Sequence, residues 1–205
     1  MKKLALLGVV VAAPLFGVVL AHQPESAIGR DVATIQPEGM EGMPPMPPPP
    51  GEHHQWLDQL LGTWAVESKM TDGESGPAAE CTGTDTVRSL GGRWVICELE
   101  SELPILGPMS AVLTLGYNSQ TGKYQGTWVD SMQDHMWVYE GTLDAAGKIL
   151  TLEAEGLNMM DPTAGNTMYR DVIEIKSPDH RTLTSSVLVE GEWVQFVTAE
   201  YRRTE

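Results

Sequence analysis

Basic residues are scarce in this chain: 13 lysines and arginines stand against 28 aspartates and glutamates, a formal charge of −15. Nucleic acid and anionic membrane surfaces are poor partners for it, because a polyanion is repelled rather than steered in. Cysteine is nearly absent. Only Cys81 and Cys97 occur, without the Cys-x-x-Cys spacing of a redox pair. No Gly-x-Ser-x-Gly elbow is present, which removes the commonest serine-hydrolase signature, and no Asp-x-Asp-x-Asp loop offers a calcium site. Long helical crossovers are also missing, so a parallel sheet has nothing to connect it.

What is there begins with Met1-Lys2-Lys3, an apolar stretch from Leu4 to Leu20, and a small residue at Ala21. This order reads as a secretory signal peptide over residues 1–21. A membrane anchor competes, since the run approaches bilayer-spanning length, but Pro14 and Gly17 interrupt it and Val19-Leu20-Ala21 fits a cleavage site. No cysteine follows the apolar region to accept a lipid. The expectation is a soluble, exported chain, periplasmic or secreted, with no membrane span once the leader is cut. Loss of residues 1–21 leaves 205 − 21 = 184 residues and removes two lysines, taking the charge from −15 to −17. Export makes a disulfide between Cys81 and Cys97 permissible. They flank a turn around Ser89 to Gly92, and a turn centred near Ser89 sets them opposite one another. The alternative is two buried thiols packing as small apolar groups.

Residues 22–52 crowd Pro44, Pro45 and Pro47 to Pro50 beside Gly39, Gly42, Met40, Met43 and Met46. Such a segment buries too little apolar surface to offset its ordering entropy, so it reads as a flexible tether. The remaining residues, 53–205, form one domain. Trp56, Leu57, Leu60 and Leu61, at spacings of three and four, predict a short amphipathic helix over His53 to Leu61. Ten alternating segments follow: 62–70, 79–88, 93–103, 109–117, 124–132, 135–143, 149–157, 167–176, 181–190 and 192–203. Turn signals at Asn118 to Gly122, Asp144 to Gly147, Pro178-Asp179 and Gly191 divide the later ones. The pattern predicts an all-β fold, an up-and-down antiparallel barrel of about ten strands with a short N-terminal helix, closed so that no strand edge is left exposed.

Alternation also assigns faces. Val95, Cys97 and Leu99 point one way in the third strand, with Glu98, Glu100 and Glu102 opposite. Tyr124, Trp128 and Met132 share a face in the fifth, and Trp193, Val197 and Tyr201 share one in the last. Trp94, Trp128, Trp137, Tyr139, Trp193 and Tyr201 are the aromatic residues expected to line a ligand cavity. A core packed by its own side chains fits the same pattern.

Gly62-Thr63-Trp64, Gly91-Gly92-Arg93-Trp94, Leu115-Gly116-Tyr117, Gly126-Thr127-Trp128-Val129-Asp130-Ser131-Met132 and Tyr201-Arg202-Arg203, in this order, resemble the domain-of-unknown-function family 1579 (DUF1579) over about residues 53–203. The resemblance implies a lipocalin- or fatty-acid-binding-protein-like barrel and no established activity. In such barrels the Gly-x-Trp tryptophan lies beneath an arginine of the last strand. Trp64 and Arg203, or its neighbour Arg202, would take those parts as a structural closure.

Other constellations read as background. Asp130, Ser131, Asp134 and His135 fit turn chemistry better than a nucleophile and base. Met40, Met43, Met46, His53 and His54, and separately Met132, His135 and Met136, are soft-ligand types suited to cuprous copper, but flexible sequence acquires methionine readily. His135 and His180 stand at strand ends or turns, poor positions for holding haem. No catalytic group, metal or cofactor is expected. Two functions stay open: binding of a small, largely apolar molecule in the cup without catalysis, or a side-chain-filled interaction module of the cell envelope whose protein partner the sequence does not name.

Overall fold

The computed structural model describes residues 48–71, 77–104, 106–159 and 162–205. The leader, and the tether up to residue 47, lie outside the described residues. A five-residue α-helix, α1 (Glu52–Trp56), runs into a 3-10 turn at Leu57–Leu60. Ten strands follow: β1 (Gly62–Thr71), β2 (Pro77–Leu90), β3 (Trp94–Leu103), β4 (Gly107–Asn118), β5 (Lys123–Asp130), β6 (Trp137–Leu143), β7 (Ile149–Leu157), β8 (Asn166–Ser177), β9 (His180–Val189) and β10 (Glu192–Arg203). Each pairs antiparallel with its predecessor, and β1 pairs with β10 from Trp64↔Arg203 to Met70↔Val197, closing the barrel. The fold is the one that the alternation and the short turns predict.

The two-residue period decides what is inside. In β6, Trp137, Tyr139 and Gly141 are buried while Val138, Glu140 and Thr142 are exposed. In β7, Leu150, Leu152, Ala154 and Gly156 are buried. Opposite neighbours on adjacent strands share a face, so these residues form a continuous inner wall.

One end of the barrel is sealed. Leu57 and Leu60 of the 3-10 turn are almost wholly buried and belong to the same apolar core as Leu115, Tyr124, Leu150 and Leu152. Each such side chain contributes roughly 1.5–3 kcal/mol by leaving water. Polar ties fix the plug: Trp56 Nε1 donates to the Gly147 carbonyl at 2.8 Å, and the Tyr124 hydroxyl donates to the His53 carbonyl at 3.1 Å. The other end carries the β5–β6 and β9–β10 connections.

Two features depart from the simple alternation. A β-bulge between Gln195 and Val197 shifts the register of β10 on β9, so the residues before and after it change phase. The β2–β3 turn sits on Gly91 and Gly92, both with positive φ, and pairs Leu90 with Trp94. Its centre is therefore Gly92, three residues beyond the centre that a Cys81–Cys97 bridge requires. Cys97 faces Val87 and Leu113, Cys81 faces Ser68, and both are buried free thiols. The expected disulfide is corrected accordingly.

Candidate functional site

The sealed end is organised around Trp64. Its indole donates from Nε1 to the Leu60 carbonyl at 2.9 Å, and two guanidinium groups lie over its ring, Arg203 at 4.1 Å and Arg181 at 4.8 Å from the centroid. Cation–π attraction of this kind is worth on the order of 0.5–2 kcal/mol. Arg203 also donates to the carbonyls of Leu61, Gln59 and Pro178, so one side chain ties together the plug, the β8–β9 turn and the barrel floor. Arg202 faces outward and is exposed.

Above the floor the inner wall becomes polar. Arg181, at the start of β9, donates from Nη2 to Asp85 Oδ2 of β2 at 2.6 Å, with both side chains no more than 5% exposed. The guanidinium also stacks on the Tyr201 ring at 4.1 Å. The ion pair is monodentate. Asp85 Oδ1 and Arg181 Nε are buried with no hydrogen-bond partner, and each such unmet group costs roughly 1–3 kcal/mol. Burial raises the Asp85 carboxyl, against the lowering effect of Arg181. Burial also pushes the neighbouring Cys97 thiol up to about 12, with Asp85 adding to the effect. The Tyr201 hydroxyl is raised by the same desolvation.

Further up the wall, Tyr139 donates to Asp171 Oδ2 at 2.6 Å, and Ser185 gives Asp171 a second hydrogen bond. Desolvation raises the Asp171 carboxyl while these two bonds oppose it. Tyr139 is raised by burial and by the facing carboxylate.

The aromatic residues singled out from the sequence divide. Trp128, Trp137, Tyr139 and Tyr201 point inward. Trp128 pairs with Trp137 across β5 and β6 and donates to Asp130 Oδ2 at 2.9 Å. Trp137 packs edge-on to Tyr169 at 4.6 Å over Gly156, where a Cβ would fall 2.3 Å from the indole. Trp94 and Trp193 do not line the lumen. Trp94 lies on the outer wall, in phase with Glu98, and covers Gly116. Trp193 pairs with outward Leu188 because the Gln195–Val197 bulge reverses its phase relative to Val197 and Tyr201; Arg170, ion-paired to Glu153, stacks on it at 3.9 Å. Phe196 takes the inward role instead, against Tyr169 at 6.1 Å.

Asp130, Ser131 and His135 do turn chemistry. Asp130 Oδ1 accepts from the Met132 amide at 2.9 Å, Ser131 Oγ accepts from the Ser110 amide at 3.1 Å, and His135 rests edge-on against Trp137 at 4.7 Å. Sequence reasoning missed Asp85, Asp171 and Arg181. The signal was available: each is in phase with apolar inward neighbours on its strand, Val87, Ile173 and Leu183 respectively.

Burial is uneven along the barrel. Near the floor, inward Val95, Leu115, Leu150, Leu152 and Ile173 are at most 1% exposed. Toward the other end, inward Leu99, Trp128, Leu183, Ser185, Val194 and Phe196 keep accessible surface, while Ala111, Trp137, Tyr169 and Val187 are buried. A depression of about 500 Å³ lies on the outer wall, bordered by Trp94, Gln125, Val138, Glu140 and Glu155.

Residues 49–203 match a family described as "Protein of unknown function (DUF1579)". Among curated proteins none matches the chain. The chain is similar to the solved structure of Rv2717c from M. tuberculosis, with TM-score 0.57, 18% identity, 76% of this chain and 99% of that chain covered. It is also similar to the S-type phycobiliprotein lyase CPES from Guillardia theta, with TM-score 0.51, 13% identity, and 74% and 92% of the two chains covered. At these identities the likeness is one of fold.

Proposed function

We propose, from the premise that the chain belongs to the DUF1579 family, that its barrel is a cup for a small, largely apolar molecule, entered opposite the sealed end and holding its ligand without chemical change. The observation that supports this is that the plugged end is packed solid, while toward the other end inward Leu99, Trp128, Leu183, Val194 and Phe196 keep accessible surface beside buried Trp137, Tyr169 and Val187. A barrel filled by its own side chains buries its inward residues along the whole length. Trp128, Trp137, Tyr139 and Tyr201 are the aromatic wall of the cup. Its acidic, non-basic composition suits a small neutral cargo better than a polyanion. The leader sequence supports export, so the carrier works in the periplasm or outside the cell.

Native mass spectrometry of the purified chain, followed by denaturation and identification of what is released, tests the reading. A stoichiometric small molecule supports it. A consistently bare protein that also fails to bind apolar fluorophores counts against it.

A second reading has an observation of its own. The outer depression beside Trp94, ringed by Glu140, Glu153 and Glu155, is a surface that an interaction module could present to a protein partner. Co-purification that is lost in a Trp94→Ala variant, with lumen binding unchanged, favours that reading.

A further inference from the structure

The inner wall holds an ion pair whose hydrogen-bonding capacity is only half used. Asp85 Oδ2 and Arg181 Nη2 meet at 2.6 Å, leaving one buried acceptor, Asp85 Oδ1, and one buried donor, Arg181 Nε, without partners. The Tyr201 ring lies on the guanidinium at 4.1 Å, and its hydroxyl makes no hydrogen bond among the described residues, though it can both donate and accept. One donor, one acceptor and one group of either kind are therefore gathered on one buried stretch of the inner wall, next to Trp64.

Charge decides which ligand end suits them. Arg181 is already neutralised by Asp85, and Asp171 faces the same lumen with hydroxyl donors but no cation paired to it among the described residues. A ligand carboxylate would bring a further negative charge into an interior that already holds more carboxylates than guanidinium groups. An ammonium would have to approach the Arg181 guanidinium. Like charges at short range in a low-dielectric interior repel strongly. An uncharged group that both donates and accepts meets neither penalty.

We infer that the cup selects apolar molecules ending in an uncharged donor–acceptor group, a hydroxyl or a primary carboxamide, which Asp85, Arg181 and Tyr201 hold, and that it discriminates against the corresponding carboxylates. This rests on the reading of the barrel as a ligand cup. The head group accepts from Arg181 Nε and donates to Asp85 Oδ1, with Tyr201 closing the third side, while the hydrocarbon portion lies against Leu99, Leu183, Trp128 and Phe196. The selection is the reverse of that given by a free guanidinium, because here the arginine has its counter-ion built in.

The test is competition, at neutral pH, between a bound anilinonaphthalene fluorophore and four twelve-carbon probes: the alkanol, the alkanamide, the alkanoate and the alkylammonium. The full chain is compared with Tyr201→Phe and with the double variant Asp85→Leu/Arg181→Met, which replaces the whole pair and so leaves no buried charge alone. The expected result is displacement by the alkanol and the alkanamide at concentrations roughly tenfold lower than by either charged probe, the equivalent of one well-made hydrogen bond. That preference should shrink in Tyr201→Phe and vanish in the double variant, with all probes still displacing the fluorophore. An alkanoate or alkylammonium that competes as well as the alkanol overturns the head-group assignment and leaves the cup standing. A preference unchanged in the double variant overturns the assignment to these residues. If the fluorophore binds nowhere in the lumen, or no probe displaces it, the cup reading fails and the inference falls with it.

Discussion

Arg181 and Asp85 are 96 positions apart in the chain and meet at 2.6 Å inside the barrel, each nearly sealed from solvent. The contact spans the closure, since β9 and β2 are separated by β10 and β1 in the ring of strands. It therefore forms only when the barrel has closed. A buried pair of this kind is weak evidence for net stability, because desolvating two charges offsets most of their attraction.

Removing one partner is different from removing both. Asp85→Ala leaves a buried guanidinium without its counter-ion and should lower stability by about 3–5 kcal/mol. Asp85→Leu/Arg181→Met should sit far closer to the native protein, within about 1–2 kcal/mol. Urea denaturation followed by tryptophan fluorescence reads both. Equal losses in the two variants would show that the pair is not what the single substitution breaks.

Arg203 reaches the Leu61, Gln59 and Pro178 carbonyls and the face of Trp64 together. Arg203→Met keeps the stem and loses every one of those bonds, so stability should fall by about 2–4 kcal/mol. Arg202→Met, one residue earlier and outward, should change it by less than about 0.5 kcal/mol. The contrast separates a closure role from a general effect of charge on the last strand.

The sequence pattern carries most of the fold, and physical reasons mark where it stops. Strict alternation in β6 and β7 makes Trp137, Tyr139, Leu150 and Leu152 readable as inward from spacing alone. The same rule misplaces Trp193, because one bulged residue in β10 reverses the phase and no local signal at Gln195-Phe196-Val197 announces it. Cys81 and Cys97 fail for a related reason: a shift of the turn centre from Ser89 to Gly92 moves the pairing by six residues. The polar part of the candidate site was hidden differently. A single charged residue on an apolar strand face is the informative exception, but its partner lies on a strand distant in sequence, and spacing does not reveal it.

Trp128 and Trp193 give opposite expectations. Trp128→Ala removes an aromatic wall from the lumen and should weaken binding of an apolar fluorophore by about tenfold or more. Trp193→Ala removes only the outer stack on Arg170, so binding should stay within about twofold and stability should fall by about 0.5–1 kcal/mol. Fluorophore titration of the two variants in parallel checks the inner and outer assignments.

Asp171 is held above the ordinary carboxylate range by burial, with the Tyr139 and Ser185 hydrogen bonds working against that rise. A carboxyl raised in the folded state stabilises the protein while it is protonated and takes stability away as pH rises through its folded value. Asp171→Asn still accepts from Tyr139 and Ser185 but carries no charge. Its melting temperature should exceed the native protein's at neutral pH, with the advantage disappearing as the pH falls toward the ordinary aspartate value of 3.8. An advantage that persists unchanged in acid would place its origin in packing rather than in charge.

Cys97 links the inner wall to alkaline stability. Burial lifts its thiol from 9.0 to about 12, so between those values the unfolded chain releases a proton that the folded chain keeps. The folded state accordingly has its full share of this stability below pH 9.0 and loses it as the pH climbs toward about 12. Buried Tyr139 and Tyr201 are raised in the same direction and steepen the decline. Cys97→Ala removes one of these steps: its baseline stability drops through the lost side chain, while its slope with pH in this window becomes shallower than the native protein's. The same thiol should resist thiol-specific reagents in the native state, since only the thiolate attacks. Unfolding without reductant should then release two titratable thiols per chain, from Cys81 and Cys97. A count of zero would mean that the strands carrying them pair in a different register from the one that sets Cys97 opposite Val87.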